Sequence, residues 1–502
     1  MKNRMFIQLH FCILIFLISP QQLFAQLEHD HHHRYYPVSD PLVQEKLEQW
    51  QDMKFGLLMH WGTYSQWGIV ESWSICPEDY GWCKRVSGEN PQSYFQYKQE
   101  YENLISTFNP VDFNPGSWAK AAKQAGMKYV VFTTKHHDGF CMWDTKETDY
   151  KITGETCPFH TSTKADVTGE IFNAFREQDF WVGTYFSKPD WHSENYWWPY
   201  FPPLDRNVNY DPEIYPERWE KFIRFTHNQI MELMTGYGKI DILWLDGGWV
   251  RKKDKSSIQD YYINNAQNTT SGFLKSGNVN QDIRMDELVE KARREQPGLI
   301  VVDRAVPGPN QNYLTPENTV PDKAIPYPWE SCIISGGGWS WVSPEKASYK
   351  TPRETIHMLA DIVSKGGNLL LNIAPGPRGN WHPQAYELLA QIGEWMDVNS
   401  EAIYGSRAIA PFKDGNVCLT QNKDNHTVYA VYLAGEGENS PPARVSLGCI
   451  QPAGNAKITM LGVKGKLKWE RAEEGFVVEV PVEAQESPPC SHAWVFKIDR
   501  VE

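Results

Sequence analysis

Asp246 is the residue of this chain whose setting most clearly indicates chemistry. It follows the apolar run 240–245, which has little polar alternation, and it precedes Gly247 and Gly248. Such a run is typical of a parallel strand covered on both faces, whose carboxyl end can deliver Asp246 into a site. The glycines let the backbone turn away without crowding the carboxylate. The alternative is that Asp246 only caps a helix or makes a turn.

Two glutamates are candidates for a second carboxyl group. Cleavage of a glycosidic bond uses two, one that donates a proton and one that acts as nucleophile or activates water. Glu317 lies in a loop after a predicted strand, whereas Glu330 immediately precedes one. Only the first position lies at the carboxyl ends of the strands, together with Asp246, so the predicted geometry favours Glu317. Either glutamate could instead be a solvated loop residue.

Other polar side chains follow apolar runs in the same way. They are His60, His136, His137, Tyr185 and Arg304. Neighbouring side chains on an extended strand point to opposite faces, so His136 and His137 are not expected to bind one ion together. A metal site would need His60 and carboxylates, and hydrogen bonding to sugar hydroxyls is the better interpretation. The sequence therefore predicts neither a metal nor a cofactor.

Strands and helices alternate over residues 26–400, which predicts a parallel sheet. Polar residues at the strand ends favour a closed (β/α)8-like barrel over an open sheet. Seven strands are clear, so the eighth is expected to be degenerate or hidden. The predicted strands begin near Phe55 and cover 128–134, 181–187, 240–245, 299–303, 331–335 and 368–374. Residues 251–283 are rich in Asn, Gln, Ser, Lys and Gly and are predicted to form an inserted surface loop.

The two ends of the chain differ from this pattern. Residues 405–502 contain short alternating segments separated by turns, which predict a C-terminal β-sandwich. Residues 1–25 have a short basic start, an apolar core and a small residue at Ala25, the pattern of a signal peptide. No segment is long and apolar enough to predict a membrane anchor. The product is expected to be exported, to the periplasm or the extracellular space.

Composition excludes some partners and leaves other questions open. The chain has 49 basic and 62 acidic residues, a net charge of −13, which argues against a nucleic-acid surface. Eight cysteines remain after Cys12, without the paired spacing of a zinc site. Cys76 and Cys83 are the most local candidates for a disulfide, but the sequence does not establish the pairing. The oligomeric state is also open.

Five motifs follow one another along the predicted barrel. They are Phe55-Gly-Leu-Leu-Met-His-Trp-Gly-Thr-Tyr-Ser65, Thr133-Thr-Lys-His-His-Asp-Gly-Phe140, Tyr185-Phe-Ser-Lys-Pro-Asp-Trp-His192, Leu243-Trp-Leu-Asp246 and Leu369-Leu-Leu-Asn-Ile-Ala-Pro375. Taken in order, they resemble the α-L-fucosidases of glycoside hydrolase family twenty-nine. The resemblance covers about residues 50–400, and the order of the motifs makes it specific.

This resemblance implies a barrel with a C-terminal β-sandwich, a retaining mechanism and no metal requirement. Asp246 then corresponds to the nucleophile, and Glu317 is the candidate acid/base. The implied fucose contacts are His60, His136, His137, Tyr185, Trp244 and Arg304. A Glu-Trp pair usually follows the first strand of the family, and Glu71-Ser-Trp73 is the corresponding stretch here.

The leading hypothesis is an exported retaining exo-α-L-fucosidase that acts on fucosylated oligosaccharides or glycoconjugates. One alternative is a catalytically inactive sugar-binding homologue that keeps the histidine and tryptophan contacts. Another is a related glycosidase that acts on a different sugar, such as a galactoside.

Overall fold

Seven parallel strands form one sheet in the computed structural model, which describes residues 35–268, 278–448 and 450–502. The predicted signal peptide lies outside the described residues. The strands are β1 (Phe55–Met59), β2 (Tyr129–Lys135), β3 (Trp181–Ser187), β4 (Ile242–Asp246), β5 (Ile300–Asp303), β6 (Glu330–Ile334) and β7 (Asn368–Asn372). Their hydrogen-bonded order is β5-β4-β3-β2-β1-β7-β6. Almost every residue in them is buried, as expected of a parallel sheet covered on both faces.

Helices connect these strands and cover the outside of the sheet. They are α1 (Pro41–Met53), α2 (Tyr94–Glu102), α3 (Pro115–Gln124), α4 (Val167–Arg176), α5 (Pro216–Gly236), α6 (Lys255–Asn268), α7 (Met285–Glu295), α8 (Pro352–Ser364) and α9 (Pro383–Asn399). The sequence signals of α3 are typical: the Asn114 side chain accepts from Ser117 N–H, and Pro115 starts the helix. None of the described helices is long and apolar enough to cross a membrane.

The gap between β5 and β6 is filled by residues 311–318, here called the seam segment. An isolated bridge joins Gln311 to Val302 of β5, and another joins Glu317 to Cys332 of β6. The backbone N–H of Asn318 donates to the Cys332 carbonyl at 2.8 Å. The seam segment thus takes the eighth position of the barrel without forming a regular strand. The predicted barrel fold is confirmed, with seven regular strands among the described residues.

The predicted surface loop at 251–283 is wrong in part, because α6 occupies residues 255–268. Its sequence, KSSIQDYYINNAQN, lacks the apolar stripe that identifies a helix packed on a sheet. Residues 269–277 of the predicted loop lie outside the described residues.

The C-terminal part is a β-sandwich, as predicted. Its strands are β8 (Ser406–Asp414), β9 (Val417–Asn422), β10 (Val428–Leu433), β11 (Arg444–Leu447), β12 (Ile458–Met460), β13 (Trp469–Arg471), β14 (Phe476–Glu479) and β15 (Ala493–Ile498). They form two antiparallel sheets, β12-β15-β10-β9-β8 and β11-β14-β13. Leu419 and Phe496 of the first sheet share one buried cluster with Val445 and Phe476 of the second. This shared core between two sheet faces defines the sandwich.

Candidate active site

Asp246 is the last residue of β4, and its carboxylate accepts hydrogen bonds from three sides. Tyr185 Oη and the Gly247 N–H donate to it, each at 2.7 Å, and Arg304 Nη1 lies 3.2 Å from Oδ1. Gly247 has φ +87°, and a Cβ there would lie 2.3 Å from Pro189 Cδ. Only glycine therefore fits the turn that aims Asp246 at the carboxyl end of the barrel.

The surroundings of Asp246 keep it ionised. Burial alone would raise its pKa, but the Arg304 guanidinium and the Tyr185 hydrogen bond outweigh burial and hold the pKa of Asp246 well below its ordinary value. The Asp246 side chain is 17% exposed, so solvent or a ligand can reach it. A charged, reachable carboxylate of this kind can act as a nucleophile.

Arg304 joins Asp246 to Glu317. It follows β5, and its buried guanidinium donates from Nη2 to Glu317 Oε2 while Nη1 faces Asp246. Trp339 Nε1 donates to the other Glu317 oxygen at 3.1 Å. Because one guanidinium contacts both carboxylates, Glu317 lies at the same end of the barrel as Asp246. The two candidate carboxylates therefore share one cation.

Glu330 lies at the opposite end of the barrel. It is the first residue of β6, pairs with Asn368, the first residue of β7, and accepts a hydrogen bond from Tyr129, the first residue of β2. Its side chain is fully buried, and burial raises its pKa to about 7. Glu330 was predicted to lie away from the carboxyl ends of the strands, and its position at the start of β6 agrees with that prediction.

Three neutral histidines lie beside the carboxylates. His60 Nδ1 is 3.1 Å from Asn372 Oδ1, His136 Nδ1 contacts Ser72 Oγ, and His137 Nε2 is 3.9 Å from Asp246 Oδ2. Burial lowers the pKa of His60 to about 4 and that of His137 to about 3, and it also lowers the pKa of His136. All three rings are therefore uncharged near neutral pH and can both donate and accept hydrogen bonds.

The expectation that His136 and His137 point to opposite faces is wrong. Their ring centroids are 4.2 Å apart, and both rings belong to the site. The reason is that β2 ends at Lys135, so the alternation of a strand no longer applies at these two positions.

Aromatic rings enclose one side of the site. Trp73, Trp191 and Trp249 have ring centroids 5.0, 5.0 and 5.2 Å from that of His137. Trp244 precedes Asp246 by two residues on the same face of β4, and its ring stacks on Tyr185 at 5.1 Å. Trp244 is thus one layer deeper in the barrel than Asp246.

Glu71 is a buried carboxyl group with unusual properties. Its backbone has φ +31°, in the left-handed region, and its side-chain Oε1 has no hydrogen-bond partner among the described residues. Burial, together with the charges of Glu317 and Asp246, raises the pKa of Glu71 to about 8. Glu71 is therefore protonated near neutral pH and can donate a hydrogen bond.

This protonated state makes a testable prediction for Glu71→Gln. The folded protein holds the Glu71 proton up to pH about 8, whereas the unfolded chain releases it near 4.5. Between these values the folded state binds more protons, so the free energy of unfolding of the wild type falls as pH rises. The neutral variant lacks this loss and should gain roughly 4–5 kcal/mol relative to wild type from acidic to mildly alkaline pH.

Urea unfolding of both proteins at the two ends of this pH range measures the difference. Glu177→Gln, at an exposed position, is the matched control and should follow the wild type. Parallel pH dependences of wild type and Glu71→Gln would show that Glu71 is ionised in the folded protein.

Comparison with known proteins identifies the family. Residues 22–401 match the family model of α-L-fucosidase, and residues 412–499 match that of the α-L-fucosidase C-terminal domain. The chain belongs to the α-L-fucosidase family. It is therefore a glycoside hydrolase, and the resemblance seen in its motifs is confirmed.

Relatives align along nearly the whole chain. Human tissue α-L-fucosidase is 28% identical over 484 residues, covering 93% of this chain and 92% of the relative. α-L-fucosidase isoenzyme 1 from Paenibacillus thiaminolyticus has 27% identity and a TM-score of 0.69, covering 92% of this chain and all of that one. A Bacteroides thetaiotaomicron α-L-fucosidase has the same fold at 23% identity and a TM-score of 0.65, covering 90% of this chain and 96% of its own.

Some residues of this fucosidase site were not predicted. They are Ser72, Trp191, Trp249, Trp339 and Asn372. Asn372 ends β7 in the same way that Asp246 ends β4, so the strand-end pattern could have found it. Trp339 lies in a loop, and its bond to Glu317 depends on a fold that no local pattern predicts.

The candidate disulfide between Cys76 and Cys83 is not formed in the structure. Cys76 and Cys83 are buried free thiols, and their sulfur atoms lie within 4.8 Å of each other and of a Glu78 carboxylate oxygen. Both Glu78 oxygens are bound by the Arg206 guanidinium. The same guanidinium lies over the rings of Trp73 and Trp249, 4.9 and 5.2 Å from their centroids.

Proposed function

We propose that this protein is an exported retaining exo-α-L-fucosidase that removes terminal α-L-fucosyl residues from glycans. The observation that carries the proposal is the ionised Asp246, held by Arg304, which also binds Glu317. Family membership supports the fucosyl substrate. The signal-peptide pattern of residues 1–25 supports export to the periplasm or the extracellular space.

In the first step, an Asp246 oxygen attacks the anomeric carbon while the bond to the leaving oxygen breaks. Glu317 donates its proton to that oxygen, and the leaving sugar departs as an alcohol. In the second step, Glu317 takes a proton from water, and the resulting nucleophile displaces Asp246 from the sugar. One residue serves both proton transfers, because the second step reverses the chemistry of the first. The covalent intermediate trapped in the Bacteroides relative supports this route.

Arg304 adds a requirement to the first step. A carboxyl group that accepts hydrogen bonds from Arg304 and Trp339 is favoured in its ionised form, whereas a general acid must carry a proton. Substrate binding must therefore loosen the contact between Arg304 and Glu317. Arg304 then remains beside Asp246.

The other polar groups suit a neutral sugar. His60, His136 and His137 are uncharged. His60 and His136 each use Nδ1 within the protein and keep Nε2 for a hydroxyl group, whereas His137 can offer one donor and one acceptor. Glu71, when protonated, adds a further donor. Trp73 and Trp249 present ring surface that can pack against the C–H groups and the methyl group of fucose.

A panel of aryl glycosides tests the function. The wild type is expected to cleave the aryl α-L-fucoside with a kcat/KM at least about a hundredfold above those for the other sugars. A sugar with a misplaced hydroxyl would leave polar groups of the site unpaired. Preferred cleavage of a galactoside would reassign the substrate. Binding of fucose without turnover of any glycoside would show a sugar-binding homologue.

A further inference from the structure

The loop from Lys188 to Tyr215, between β3 and α5, carries an exposed aromatic surface. We call it the aromatic platform, formed by Trp198, Tyr200, Phe201 and Tyr215. The buried ring of Tyr210 packs against Trp198 and Tyr215. Tyr200 is 75% exposed and Tyr215 is 37% exposed. Large rings that face water are unusual, and a group of them marks a binding surface.

The loop holds the platform in place. Asn209 accepts from Trp198 N–H at 2.8 Å and donates to the carbonyls of Trp198 and Phe201 at 2.9 and 2.6 Å. The Arg218 guanidinium lies 4.2 Å from the Trp198 ring centroid and donates to the Glu194 carbonyl at 2.7 Å. The rings are thus fixed before a ligand arrives, which lowers the entropy cost of binding.

The loop that carries the platform also forms part of the wall of the active site. Trp191, which contacts His137, stacks on Trp197 with centroids 5.1 Å apart and planes at 7°. Trp198 is the next residue, and its ring is 5.3 Å from Tyr200 at 30°. A second contact joins Trp249 to the same loop, since its Nε1 lies 3.1 Å from Tyr196 Oη. Trp191, Tyr196 and Trp197 are buried, so these contacts fix the loop and its exposed rings beside the enclosed sugar site.

We propose that the aromatic platform binds the sugars on the leaving-group side of the scissile bond, so the substrate is an oligosaccharide rather than a small fucoside. This inference rests on the proposed function. An exo-acting enzyme encloses one terminal sugar, and the remainder of the glycan must leave the pocket along its outer wall. Sugar rings expose C–H faces that pack on aromatic rings, and the flat, exposed face of Tyr200 suits such contacts.

The test compares substrates that reach the platform with one that does not. For Tyr200→Ala, kcat/KM for a fucosylated pentasaccharide is expected to fall about five- to tenfold, mainly through KM, because one ring contact is lost. Turnover of an aryl fucoside should be unchanged. Tyr200→Phe keeps the ring and should match the wild type on both substrates. Tyr36→Ala removes a tyrosine that is 49% exposed outside the loop and is the control.

Each other outcome contradicts the inference. Equal loss on both substrates would indicate a structural effect, and no loss on the pentasaccharide would show that the platform does not bind it. A change in oligomeric state on size exclusion, with unchanged kinetics, would assign the platform to self-association. A wild type that cleaves no fucoside would overturn the proposed function and this inference together, whereas the other outcomes overturn the inference alone.

Discussion

Asp246→Asn is expected to lower kcat for an aryl fucoside by about ten-thousandfold or more, because the amide cannot form the covalent bond to the sugar. The fold should be retained, since asparagine keeps the shape and can still accept from Tyr185. Steady-state kinetics measures the loss, and thermal unfolding checks the fold. Asp424→Asn, at an exposed position in the sandwich, is the matched control and should keep wild-type activity.

Covalent labelling locates the nucleophile independently of rates. A fluorinated fucosyl fluoride should leave its sugar on wild-type protein, and the labelled peptide should contain Asp246. No label should form on Asp246→Asn. Label on another carboxylate would remove Asp246 from the role proposed here.

Glu317→Ala is expected to slow fucosides with poor leaving groups by about a hundredfold or more, and activated aryl fucosides much less in their first step. A general acid matters most when the leaving oxygen is a weak leaving group. The second step still lacks its base, so the activated substrate should give a burst followed by slow turnover. Rapid-mixing kinetics with both substrate types measures these effects.

Azide extends this test to stereochemistry. It needs no deprotonation and can enter the space left by the Glu317 carboxylate, so it should restore turnover of the activated substrate. Attack on a β-linked fucosyl-Asp246 inverts that bond and gives α-fucosyl azide, which proton NMR identifies. A β azide would mean direct displacement on the substrate without Asp246.

Glu317→Gln and Glu330→Ala complete the set. The first keeps a partner for Arg304 and should show the same slow second step, which separates loss of the acid from loss of packing. The second removes a carboxyl group at the amino end of the barrel and should show no rescue by azide. Azide rescue of Glu330→Ala but not of Glu317→Ala would show that Glu330, and not Glu317, is the acid/base.

The strands of the barrel could be predicted because their local patterns are strong. β4 and β7 are apolar runs that end in a polar residue, and a parallel sheet accounts for both features. The seam segment has no strand pattern in the sequence, because its backbone pairs only at isolated positions and carries Pro316, which cannot donate to a ladder. α6 was missed because its residues lack an apolar face.

The candidate site was predicted in its residue types but not in its connections. His60, Tyr185 and Asp246 follow from strand ends, which local sequence reveals. The bridge from Arg304 to both carboxylates joins β4, the residue after β5 and the seam segment, and only the closed barrel brings these together. The raised pKa of Glu71 likewise depends on burial by distant parts of the chain.

The seam segment has a consequence for how this enzyme could change. Asp246 is held by a regular strand, so altering its position would require a new register across the sheet. Glu317 instead belongs to a connection whose length between β5 and β6 is not fixed by strand pairing. Insertions or deletions there could move the proposed proton donor and leave the proposed nucleophile untouched. Preference for different leaving groups could therefore be exchanged by grafting a single connection, in natural variation or in the laboratory.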